Sequence, residues 1–172
     1  MACDITKGRL LPCKDTRTGI KHIDFAVFDE YGFTVSAQEI ATLPVSLEDV
    51  FRYQVKGTAN KLDEALATNM DNRTSEVTQT LNAMIQKSTK ETEVELLALM
   101  YGRVVAFVHD FNGNVKVCGI TNGLDGTTAT FSTDTNGYAI ALEGKELRFA
   151  PVLSSSAKTA LEALVSASNV TP

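Results

Sequence analysis

The second half of the chain is cut at short intervals by turn signals: Asn112-Gly113, Asn122-Gly123, Asn136-Gly137 and a lone Gly144. Asn-Gly favours the left-handed backbone of a tight hairpin turn. The apolar runs between these points, at residues 103–109, 115–121, 127–132, 138–142 and 146–151, are therefore predicted to be short strands of an antiparallel meander. Within it Val104-Val105-Ala106-Phe107-Val108 is apolar in both parities. A strand with two apolar sides has to be covered on both, so this one is expected at the centre of the domain.

Upstream, Ile23-Asp24-Phe25-Ala26-Val27-Phe28 and Phe33-Thr34-Val35-Ser36 flank the turn Asp29-Glu30-Tyr31-Gly32, which predicts a first hairpin. Residues 50–56 alternate, with Phe51, Tyr53 and Val55 on one face. In 61–70 Leu62, Ala65, Leu66 and Met70 sit at helical spacing between extended flanks, and the stretch is read as strand. Val77, Leu81, Ala83 and Ile85 share one parity over 75–87, so residues 58–87 are expected to form a long hairpin about the turn at 70–74.

A helix is predicted over about 89–101, beginning at Ser88 or Thr89 where Ser88-Thr89-Lys90-Glu91 has the capping-box spacing, and closed by Gly102 in a left-handed cap. Glu91, Glu93 and Glu95 favour its N-terminal dipole, and Val94, Leu97 and Tyr101 form the apolar stripe expected to pack on a sheet. Residues 154–169 carry Ala157, Leu161, Leu164 and Val165 behind a serine cap and read as a short amphipathic C-terminal helix, seated on its own domain or on a neighbour. The first 20 residues mix Gly, Pro and charge without a hydrophobic period and are expected to run as an irregular arm. The organisation expected is an arm over 1–20, a mainly β sandwich or barrel domain over 21–153 with one flanking helix, and a tail or helix over 154–172.

Composition narrows the function classes. A net charge of −5 leaves no basic footprint for gripping phosphates. The excess acid lies in the middle, with 4 basic and 7 acidic residues in 57–102. No run approaches the ~18–20 apolar residues of a membrane span, and Met-Ala-Cys-Asp lacks the apolar core of a secretory signal. The chain is expected to stay in the cytoplasm unless it leaves with an assembly, and no membrane partner is expected. Cys3, Cys13 and Cys118 fit neither a disulfide scaffold nor a zinc spacing, so free thiols are expected.

Catalytic chemistry finds little support. With only His22 and His109 there is no nucleophile elbow, and the glycines form no phosphate cradle. The sharpest candidate is a Cys118–His109 dyad across the 104–120 hairpin, since a thiol needs a nearby base to ionise at neutral pH. A two-residue Asn112-Gly113 turn puts both on one face, roughly 7–8 Å apart between backbones, whereas a three-residue turn with a glycine bulge sends Cys118 to the other. A buried cysteine and a strand-end histidine is the plainer reading. Asp63/Glu64 and the helix glutamates read as solvated acid, and the Asp-bearing turns at 122–126 and 133–137 lack calcium-loop spacing. No enzyme, metal or cofactor is expected.

Several short strings, taken in order, carry a resemblance. Ala2-Cys3-Asp4-Ile5, Gly8-Arg9, Pro12-Cys13-Lys14-Asp15, Lys56-Gly57-Thr58, Gln79-Thr80-Leu81, Tyr101-Gly102-Arg103, Asn112-Gly113-Asn114 and Asn136-Gly137-Tyr138 together resemble the tail tube (major tail) proteins of tailed bacteriophages. The resemblance runs over nearly the whole chain. It implies a β-sandwich or barrel with a flanking helix that closes six copies into a ring, the rings stacking into the virion tail after assembly in the host bacterial cytoplasm. It implies contacts with further copies and other tail proteins through the arm and the long hairpin, with Cys3, Arg9, Cys13, Lys61, Leu62, Met70 and Arg73 as candidate contact residues. Six copies at −5 each carry −30 per ring. A lumen lined with part of that charge would let DNA pass without specific binding. Two other classes fit the same residues: a capsid decoration or head-tail joining subunit, and a small β-rich ligand-binding domain.

Overall fold

The computed structural model describes residues 17–55 and 57–166. Its elements in chain order are β1 (Ile20–Val27), β2 (Val35–Ser36), β3 (Glu39–Ile40), β4 (Phe51–Gln54), β5 (Lys61–Asn69), β6 (Thr74–Gln86), α1 (Lys90–Tyr101), β7 (Arg103–Asp110), β8 (Val115–Cys118), β9 (Leu124–Ser132), β10 (Gly137–Glu146), β11 (Val152–Leu153) and α2 (Ser155–Leu164). The expected mainly β fold with a flanking helix and a long hairpin is present, and residues 155–164 form the C-terminal helix.

β7 is the hub. It pairs along its length with β1, and its other edge is taken first by β9 at Arg103–Val104 and then by β8 at Ala106–His109. From there the path runs through β9, β10, β6 and β5 on one side and through β8, β11, β3 and β2 on the other, while β4 adds to β1. The handover between β8 and β9 happens where Gly119 and Gly123 adopt φ of 73° and 77°. A Cβ on Gly119 would stand 2.9 Å from the Gly123 carbonyl carbon, so the corner depends on bare backbone there.

Two apolar layers lie on opposite faces of β1 and β7. Ile23 and Phe25 of β1 and Val104, Ala106 and Val108 of β7 face the main core, opposed by Leu81 and Ala83 of β6 and Ile140 and Leu142 of β10, with Leu96 and Leu99 of α1 joining it. Ala26, Val105 and Phe107 face the second layer, with Leu47, Val50, Ile40 and, from α2, Ala157 and Leu161. Phe28, Tyr31 and Phe33 pack against that layer. The expectation that β7 is covered on both faces therefore holds, and α2 packs on its own domain.

Five local expectations differ. The first hairpin does not form: β1 pairs with β4 and β7, and Val35–Ser36 instead pairs with Glu39–Ile40. The turn there is Ala37-Gln38, both at positive φ (49° and 64°), the two-residue hairpin geometry built from residues that rarely adopt it. Gly144 does not end a strand. β10 runs through to Glu146, because a side chain at 144 would meet the Gly123 carbonyl oxygen at 2.5 Å. The expected strand at 146–151 is replaced by the short β11.

The other two concern α1. Its N-cap is Thr89, whose hydroxyl accepts from the Thr92 amide, and Gly102 caps the far end in an extended conformation with φ −82°. Leu96 and Leu99 are the buried residues of α1, whereas Val94, Leu97 and Tyr101 are exposed.

Phe107 is fully buried, and truncation there removes a ring from a layer that has nothing to replace it. Phe107→Ala is expected to lower unfolding free energy by about 3–5 kcal/mol in urea titration. Leu147→Ala, at a 73% exposed position, is expected to change it by no more than about 0.5 kcal/mol.

Candidate functional site

The β5–β6 ribbon is anchored at its base and free at its end. Leu62 pairs with Leu81 and packs against the main core, while Glu64 of β5 reaches the Lys116 ammonium and accepts from the Ala150 amide. Gln79 of β6 is buried and its Oε1 accepts from the Gly119 amide at 3.0 Å. Beyond these ties residues 65–76 are all exposed. β10 pairs with β6 as far as Val77, so the part that extends past it is Ala67–Asn69 against Thr74–Glu76, a two-stranded ladder of about 10 Å at about 3.4 Å per residue, closed by the turn.

At its tip Asn69 Oδ1 accepts from the Asp71 amide at 2.9 Å, and Arg73 takes φ of 55°. Such side-chain-to-backbone bonds shape the turn without help from the domain. A two-stranded ribbon is marginal by itself, so an exposed one of this length gains from a partner. Its apolar side chains point to where that partner would sit: Met70 is 89% exposed and Leu66 half exposed. Among the described residues β5 pairs with β6 alone, which leaves it an open backbone edge, whereas the segment after α2 bridges Val50 at the start of β4 through Val165.

A second exposed surface lies on α1. Val94, Leu97 and Tyr101 recur at three- and four-residue spacing, so they line one face of the helix. Tyr101 is 87% exposed and the other two about half. The stripe expected to meet the sheet thus faces outward.

Of the contact residues expected from the sequence, Cys3, Arg9 and Cys13 lie outside the described residues. Lys61 is exposed on β5 and pairs with Asp63 at 2.6 Å. Leu62 is committed to the core, whereas Met70 and Arg73 both stand at the ribbon tip. The structure adds Leu66, Val94, Leu97 and Tyr101. Their signal in the sequence was apolarity alone, which reads equally as core.

The Cys118–His109 dyad is not formed. Asp110 and Asn114 close a three-residue turn with Gly113 at φ 80°, and Cys118 pairs with Ala106 while His109 pairs with Val115. The two side chains therefore leave opposite faces of the sheet, and Cys118 sits in the main core, where burial pushes its thiol well above the ordinary range.

His109 instead joins a polar cluster over the second layer. Asp24 of β1 has no exposed surface, and its oxygens accept from Arg52 Nε and Nη2 of β4, both at 2.8 Å. His109 Nε2 lies 2.8 Å from Asp24 Oδ2. Arg52 also grips Glu162 of α2 through Nη1 and Nη2 at 2.9 and 2.8 Å, so one guanidinium joins sheet and helix. Burial works to raise the Asp24 carboxyl, but the bonds from Arg52 and His109 outweigh it and hold the group below its ordinary value. The same Arg52 bonds lower Glu162, and those carboxylates raise Arg52 further.

His22 stacks on His109 with ring centroids 4.0 Å apart. Burial, followed by the charges of His109 and Arg52, lowers it to about 4, so it is neutral near pH 7. Its Nε2 is buried with no hydrogen-bond partner among the described residues.

No protein-family model matches the sequence, and no curated protein matches it either. Among the described residues no helix is long and apolar enough to cross a membrane.

Removing the guanidinium strands Asp24 as an uncompensated buried charge. Arg52→Ala is expected to cost about 3–5 kcal/mol in urea unfolding, while Lys61→Ala, which breaks an exposed pair, is expected to cost under about 1 kcal/mol.

Proposed function

We propose that this chain is a structural subunit that assembles with copies of itself, and specifically the repeating unit of a bacteriophage tail tube, stacked as rings around a conduit for DNA. The observation that carries the reading is the exposed ribbon: twelve consecutive residues, 65–76, are all exposed, and the side-chain tie of this stretch to β10 is the exposed Lys145–Glu76 ion pair. Such a segment is expensive for a monomer to keep ordered. It becomes useful if it reaches a neighbour.

Three further features support the same reading. The open edge of β5 offers backbone groups through which sheets of adjacent copies could join, and a closed ring removes an edge that would otherwise invite uncontrolled aggregation. The outward stripe of α1 supplies apolar area to bury. The excess of acid over base suits a channel through which phosphate passes without sticking. The ordered likeness to tail tube proteins then selects a tube from among self-assembling β proteins.

Negative-stain electron microscopy of the purified protein, after size-exclusion chromatography across a concentration series, is expected to show hollow rings or open-ended tubes. Leu66→Asp with Met70→Asp is expected to leave a monomer whose thermal unfolding matches wild type, since both positions are exposed. A wild-type protein that stays monomeric at high concentration would favour the ligand-binding domain instead. Knobs that bind capsid shells would favour a decoration protein.

A further inference from the structure

The cluster beneath α2 holds an arrangement that neither the ion pairs nor the assembly reading uses. One ring nitrogen from each of His22 and His109 and one carboxylate oxygen of Glu162 lie within 4.8 Å of one another. We propose that His22, His109 and Glu162 form a binding site for a divalent transition-metal ion of the zinc class, clasped between the β1–β7 pair and α2.

The observation that points to a ligand is His22. Nine-tenths of it is buried, and its Nε2 meets no hydrogen-bond donor or acceptor among the described residues, although a buried imidazole nitrogen is costly to leave unpaired. A metal ion is a partner that an imidazole lone pair accepts directly. Two histidines and a glutamate form one of the ligand sets that bind zinc, with the fourth position open to water.

The surroundings suit such a site. Asp24 sits 2.8 Å from His109 Nε2, the outer carboxylate that commonly orients a metal-bound imidazole. Asp24, Glu162 and Arg52 sum to −1, so a dication meets a net negative set of fixed charges there. Zinc ligands at bonds of about 2.0–2.1 Å stand about 3.3 Å apart, so the three atoms have to close by at most about 1.5 Å. Glu162 is half exposed and free to make that adjustment, and each of its oxygens keeps a second lone pair while Arg52 holds the first.

The site is independent of the tail tube reading. It is tested by titrating Zn2+ into chelator-stripped full-length protein in a calorimeter. The expected result is one ion bound per chain, with affinity reduced in both His22→Gln and Glu162→Gln by at least the roughly 10–100-fold that loss of an outer-shell partner costs. Co2+ is expected to give tetrahedral d–d bands without a thiolate charge-transfer band.

No Zn2+ binding by wild type overturns the proposal. So does unchanged affinity in the two variants, or a thiolate band, which would place the ion on cysteines. If His22→Gln does not fold, the wild-type Co2+ spectrum and the half-exposed Glu162→Gln variant still decide.

Discussion

Everything in this fold is arranged around the burial of β7 on both faces. Its residues 104–109 are all buried, which requires apolar layers above and below and backbone partners on both edges. β1 supplies one edge, and β8 and β9 share the other in succession. That handover lets one continuous sheet fold over on itself, because β9 leads the chain away toward β10 and β6 while β8 stays with β11. The two glycines at the corner follow from it, since strands can exchange a neighbour within so short a span only if backbone approaches backbone. The second layer follows too: with Val105 and Phe107 facing away from the main core, α2 and the segment around Leu47 are needed to exclude water from them.

Apolar contact is not directional, so it does not by itself fix how α2 lies on the sheet. The bidentate fork of Arg52 is directional, and it joins Asp24 of β1 to Glu162 of α2. Burying Asp24 completely has a desolvation cost that an aliphatic side chain would avoid. Its value to the fold lies in specifying one seat for the helix. His22 and His109 are held at that seat by the same strands, which is why a loose metal-ligand geometry survives there without any metal-binding string in the sequence.

How much of this was legible beforehand depended on whether the deciding interaction was local. β7 could be read directly, because apolarity in both parities has only one structural solution. β6 and the C-terminal helix were likewise carried by their own period and cap, whereas β5, with its apolar residues at helical spacing, could be read as strand only from its extended flanks. The Ala37-Gln38 turn was not, since neither residue is a turn former and the left-handed conformation is imposed by the packing of Phe33, Val35 and Ile40 around it. Gly144 looked like punctuation but is there because Gly123 passes close by, a contact between residues far apart in sequence. In α1 nearly every position from 94 to 101 is apolar, so periodicity offers no preferred face. The Asp24 cluster draws one residue from each of β4 and α2, two from β1 and one from β7, and no spacing along the chain could announce it.

The misread face of α1 bears on assembly. β6 carries the ribbon tip at its start and leads into α1 just after its end, and α1 then runs back over the sheet so that Met100 lies against Gly126. The two exposed apolar surfaces differ in kind, one a narrow two-stranded ladder and the other a helix face. Surfaces that differ do not complement each other within a two-fold dimer as a single self-matching patch does. If the ribbon of one copy docks near the helix of the next, the contact is head-to-tail. Such contacts repeat until they close as a ring or continue as a filament, and a tube of stacked rings uses both outcomes along different axes. The difference in kind between the two surfaces, more than the amount of apolar area on either, is what favours a head-to-tail contact in the proposed assembly.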